Sequence, residues 1–86
     1  MRKTKVKQKH WLLEIIDGVP EGTRHASAVR LVGFLYHRGT TSRNVWNILN
    51  EWNQLNSPPL GEQEIMSIFQ STKKWEVPRA GVEWTD

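Results

Sequence analysis

Apolar side chains recur every three to four residues along four stretches of this chain, and glycines, prolines and small hydroxyl residues lie between them. Trp11, Leu12, Ile15 and Ile16 define a short first helix, closed by Asp17-Gly18 and Pro20. Glu21-Gly22-Thr23 opens a second helix, with Thr23 expected as its N-cap and Gly39, after Arg38, as the left-handed residue that ends it. The inward stripe of that helix is Ala28, Leu31, Val32 and Leu35, edged by Val29 and Tyr36. At about 100° per residue, Ser27, Arg30, Phe34 and His37 gather on another side. Gly33 costs the helix about 1 kcal/mol relative to alanine, which points to a close helix contact there.

Thr40, Thr41 and Ser42 offer N-caps for a third helix with the stripe Val45, Ile48, Leu49, Trp52 and Leu55. Trp52 belongs to the core, whereas Trp46, six residues earlier, lies on another side as a surface platform or a cover for the first helix. The double proline Pro58-Pro59 stops the third helix, because neither ring offers a backbone donor and Pro59 drives Pro58 out of the helical region. Asn53 and Asn56 near that end are expected to bind backbone carbonyls rather than nucleotides. A fourth helix runs from about Gly61 to Lys74, with Glu62 and Glu64 at its positive end, Lys73 and Lys74 at its negative end, and Ile65, Ile68, Phe69 and Thr72 on one side. Trp75 is placed to cover the end of the bundle.

No stretch alternates as a strand would, so the expected fold is all-α: a compact bundle of about four helices. Residues 1–8 form a basic leader, residues 9–75 the bundle, and residues 76–86 an irregular strap anchored by Trp84, or the start of a linker. Eighty-six residues support one small domain. There is no cysteine, no apolar run of bilayer length, and no signal-peptide pattern after the basic start, so the chain reads as soluble, intracellular and cytoplasmic.

The net charge of +3 is concentrated in Arg2, Lys3, Lys5, Lys7 and Lys9; without those five, seven basic side chains face nine acidic ones. The body is therefore slightly acidic overall, and the position of charge matters more than its total. Between Glu21 and Glu51 no acid occurs, yet Arg24, His25, Arg30, His37, Arg38 and Arg43 do. One region of the fold is consequently basic.

Catalysis needs a constellation that this sequence lacks. There is no phosphate loop ending in Gly-Lys-Ser/Thr, no dinucleotide fingerprint, no His-Glu-x-x-His and no close acidic pair for magnesium, and His10, His25 and His37 do not share a metal-ligand spacing. No catalytic residue, metal ligand or cofactor is assigned. The candidate sites are for binding. At Glu21 to His25 a glycine turn meets a helix N-terminus beside Arg24 and His25, and can hold a phosphate; alternatively Thr23 only caps the helix while Arg24 pairs with Glu21 or a carboxylate of the fourth helix. Phe34, among Arg30, His37 and Arg38, can stack a base, or pack beneath the first helix or the strap.

Taken in order, Trp11, then Gly18-Val19-Pro20-Glu21-Gly22-Thr23-Arg24-His25, then Leu31 to Gly39, then Trp52-Asn53, Pro58-Pro59-Leu60 and Glu64-Ile65, the chain resembles the primase C-terminal family of type 1 over residues 11 to 73. Its most specific parts are the Glu-Gly-x-Arg turn and the Trp-Asn, Pro-Pro-Leu, Glu-Ile corner. The resemblance implies a helical module of plasmid, phage or mobile-element replication proteins. Such a module assists primer initiation by gripping single-stranded template DNA and the phosphates of an initiating nucleotide, with Arg24 and His25 as the residues carried by the motif. The primase carboxylates and helicase phosphate loop are missing, so the segment is expected to be an excised domain or a free-standing relative.

The full candidate surface is Thr23, Arg24, His25, Arg30, Phe34, His37, Arg38 and Arg43. Arg24 is expected to contact phosphate, so its loss should weaken binding and leave unfolding nearly unchanged. The competing reading is a connector that docks primase and helicase domains through Phe34, Trp46 and Trp84, with the arginines as rim. A helix-turn-helix reader of duplex DNA, presenting Arg43, Asn44 and Asn47, is a weaker third.

Overall fold

Each of the four periodic stretches forms a helix in the computed structural model, which describes residues 10–77. Helix α1 is Trp11–Ile15, α2 is Arg24–His37, α3 is Ser42–Asn53 and α4 is Glu62–Thr72, followed by a 3-10 turn at Lys73–Trp75. No strand occurs among the described residues, and the only sheet-like pairing there is one isolated parallel bridge between Pro20 and Ser57. The fold is an all-α bundle in which α2 packs against both α3 and α4.

Local chemistry accounts for the helix ends. The His10 ring accepts a bond from the Leu12 amide at 3.2 Å and so caps α1, a role the sequence pattern does not suggest. Gly39, at φ 87°, ends α2 as expected, and Thr41 caps α3 through its hydroxyl, which accepts from the Asn44 amide at 3.3 Å. A second acceptor reaches the same helix start: the Glu76 carboxylate takes the Ser42 amide at 2.9 Å, tying the chain beyond α4 to the first turn of α3. Trp84 and the rest of the expected strap lie outside the described residues, as does the basic leader.

The core is built from the stripes of α2, α3 and α4, with Ile15 from α1 and Val19 and Leu60 from the loops. Tyr36 is the largest fully buried side chain; burial, and then the Glu76 charge, raise its phenol above its ordinary value of 10.0. Three expectations need correction. Ile48 on α3 and Leu55, two residues past its end, belong to the expected inner stripe but stay 39% and 54% exposed, because α1 is short and buries Ile15 without covering them. Gly33 meets no helix backbone; a methyl placed there would find only the Trp75 ring, at an ordinary 3.6 Å. Trp46 neither stands alone nor covers the first helix, but packs on Phe69 of α4 with ring centroids 4.9 Å apart.

Candidate nucleic-acid interface

The two distinctive motifs are physically one structure. After α1, Gly18 adopts φ 100°, and a side chain there would collide with the Leu55 carbonyl, so the chain passes directly against the end of α3. Val19 then donates its amide to the Asn56 side chain at 2.8 Å, and its carbonyl accepts from the Ser57 amide at 3.3 Å. Buried Asn53 holds Leu60 at both backbone groups, donating to its carbonyl at 2.9 Å and accepting from its amide at 2.8 Å, while Asn56 donates to Asn53 at 3.1 Å. The Trp52 indole donates to the Ile15 carbonyl at 2.7 Å. Backbone groups that would otherwise be buried unpaired are thereby satisfied. The Ser57-Pro58 peptide within this corner is cis.

Arg24 completes that seam. Its Nη1 donates to the Pro58 carbonyl at 2.8 Å and the Pro59 carbonyl at 3.0 Å, and its Nη2 lies 3.8 Å from Glu21. Only 17% of the side chain is exposed, and its Nε is buried without a partner. The guanidinium is thus turned into the protein, and its ion pair with Glu21 is the alternative raised from spacing. His25 likewise faces α4, with Nδ1 3.0 Å from a Glu64 oxygen across an exposed pair that adds little to stability. Thr23 sits at the N-cap position but makes no cap bond; its hydroxyl donates back to the Pro20 carbonyl at 3.1 Å and closes the preceding turn. Thr23 and Arg24 thus bond to the loops at this corner, through Pro20 and through Pro58 and Pro59, while His25 pairs with Glu64 on α4.

The other half of the basic surface is arranged differently. Phe34 packs edge-on against Trp11, centroids 5.6 Å apart, and His10 stands 6.3 Å from the Phe34 ring. The Arg30 guanidinium lies 4.4 Å over the Trp11 ring, and that of Arg38 5.4 Å from the Phe34 centroid. Trp11 and Phe34 are half-buried, whereas His10, Arg30, His37 and Arg38 are exposed. None of the three arginines Arg30, Arg38 and Arg43 makes an ion pair with a carboxylate among the described residues. Arg43 is exposed near the start of α3, just past the turn after Arg38.

Chemically, this is a face of two half-buried aromatic rings flanked by planar cations that have no carboxylate partner among the described residues. His10 and Trp11 stand outside the surface expected from sequence because periodicity puts Trp11 on the inner stripe. A five-residue helix cannot enclose all its large side chains, and that is the signal the sequence offers. A separate open cleft of about 800 Å³ lies between α3 and α4, bordered by Trp46, Asn50, Glu62 and Met66. It carries no basic side chain. Phe34 packs on Trp11 and Trp46 on Phe69, and Trp84, the third member of the expected docking patch, lies outside the described residues. No group of three or more potential metal ligands occurs among the described residues, and no helix there is long and apolar enough to cross a membrane.

Fold and site together define a small helical module with a buried arginine–asparagine seam and an arginine–aromatic face. The model of the primase C terminal 1 family (PriCT-1) matches residues 12–77, and the chain belongs to that family of primase-associated C-terminal modules. The match takes in the whole seam and all of α2 to α4. No curated protein and no solved structure matches the chain.

Proposed function

We propose that this module is a non-catalytic DNA-binding accessory of a primase, holding single-stranded template and nucleotide phosphates during primer initiation while other domains of the parent protein perform the chemistry. The observation that supports the reading best is Arg30 over Trp11 and Arg38 over Phe34, two cation–aromatic pairs on one face with no carboxylate partner among the described residues. In this reading the phosphate contacts belong to Arg30, His37, Arg38 and Arg43, and the accessible parts of the Trp11 and Phe34 rings supply the apolar surface against which bases pack. Arg24 holds the corner through the Pro58 and Pro59 carbonyls instead of contacting the nucleic acid.

Fluorescence anisotropy of a labelled oligothymidylate, titrated at several salt concentrations, tests the proposal. Affinity should fall as salt rises, and replacing Arg30 and Arg38 with alanine should flatten the salt slope by about 0.7 for each phosphate that is no longer neutralised. Binding that ignores salt, or no binding at millimolar protein, rejects it.

A further inference from the structure

On another flank of the molecule, an open groove of about 340 Å³ is lined by Ile16, Leu31, Ile48, Glu51, Trp52 and Leu55. Ile16, Ile48 and Leu55 are 42%, 39% and 54% exposed, and Leu13, three residues before Ile16, is also exposed. Scattered apolar side chains are ordinary on a surface, but here three converge on one concavity whose floor is core. The charge at this groove is of one sign. Glu51 lines it and makes no ion pair among the described residues, Asp17 directly follows Ile16, and no basic side chain contributes to the lining.

We propose that this groove is a docking site for an amphipathic helix of a partner protein, one that presents aliphatic anchors at i, i+3 and i+7 and a lysine or arginine beside them. The concavity suits the anchors of a single helix, as in other helix-in-groove recognition. The Glu51 carboxylate, which has no ion-pair partner among the described residues, selects the basic flank. A second copy of this chain is a poor occupant, because an interface symmetric about the groove would bring Glu51 toward its own counterpart in an apolar setting. The proposal is independent of DNA binding, since Trp11, Arg30, Phe34 and Arg38 take no part in it.

The test uses the full chain and two synthetic helical peptides with leucines at i, i+3 and i+7, one flanked by lysines and the other by glutamates. Calorimetric titration should detect the lysine peptide and not the glutamate peptide. Ile48→Asn and Leu55→Ser, both at exposed positions, should weaken binding about tenfold or more while circular dichroism melts stay near the parent. Glu51→Lys should weaken the lysine peptide about threefold and improve the glutamate peptide. Equal binding of both peptides, indifference to Glu51→Lys, or no binding would overturn the proposal. So would a dimer in sedimentation equilibrium that Ile48→Asn dissolves, which would assign the groove to a second copy.

Discussion

Arg24 reaches across 34 positions of sequence to place Nη1 2.8 Å from the Pro58 carbonyl, joining the first turn of α2 to the loop that precedes α4. A charged donor serving two carbonyls in a largely enclosed position is a structural fastener before it is anything else.

Arg24→Ala should therefore lower the free energy of unfolding by about 1.5–3 kcal/mol in urea denaturation followed by circular dichroism. Arg24→Lys should recover only part of that, because an ammonium lacks the planar fork that spans both carbonyls. Stability unchanged in the alanine variant would return Arg24 to the role of a solvent-facing phosphate contact.

Asn53 is expected to be the more sensitive neighbour. Asn53→Ala leaves the Leu60 amide and carbonyl without their partner in a buried place, for a loss of about 2–4 kcal/mol. Asn56→Ala removes the partner of the Val19 amide and should cost about 1–3 kcal/mol. Because the two asparagines also bond each other, the double variant should lose less than the sum, which a double-mutant cycle will read directly.

Two glycines should respond to alanine with opposite signs. At Gly18, positive φ and the collision with the Leu55 carbonyl predict a loss of about 2 kcal/mol or more. At Gly33, inside α2, the added methyl meets only the Trp75 ring at van der Waals distance, so thermal and urea unfolding should show a gain of about 0.4–1 kcal/mol.

Tyr36 is the single tyrosine of the chain, so its ionisation can be followed by phenolate absorbance without ambiguity. Its folded-state value is raised, chiefly by burial and secondly by Glu76. The stabilisation this represents is fully present below the unfolded value near 10.0, and is lost as pH climbs from there through the folded value, because the unfolded chain gives up its proton first. Unfolding should thus become easier above that pH, with phenolate appearing late in the native protein. Glu76→Gln should move the midpoint part of the way back.

These outcomes also mark what can be read from sequence. The periods of Val45, Leu49 and Trp52, or of Ile65, Ile68 and Thr72, follow from helix geometry alone, and so four helices are legible, although α3 ends at Asn53, before the last position of its expected stripe. Thr41 and Gly39 act locally and are legible for the same reason. Asn53 binds the Leu60 carbonyl as expected, whereas Asn56 accepts from the Val19 amide, and both partners depend on a loop whose position no local rule gives. Arg24 shows the limit most clearly. Charge and a glycine turn make it look outward, and only the approach of Pro58 and Pro59, set by the packing of α3 and α4, turns it inward. The surface at Arg30, Phe34, His37 and Arg38 is legible as one side of α2, but its tryptophan comes from another helix.

The shortest element has the widest reach. Trp11 and Ile16 lie about 140° apart around the axis of α1, so one borders the arginine-rich side and the other the aliphatic hollow. This peg of five residues, capped at one end by a histidine and fastened at the other by an indole, is a wall the two surfaces share. The two surfaces therefore lie back to back across little more than one helical turn, each drawing a different side chain from it.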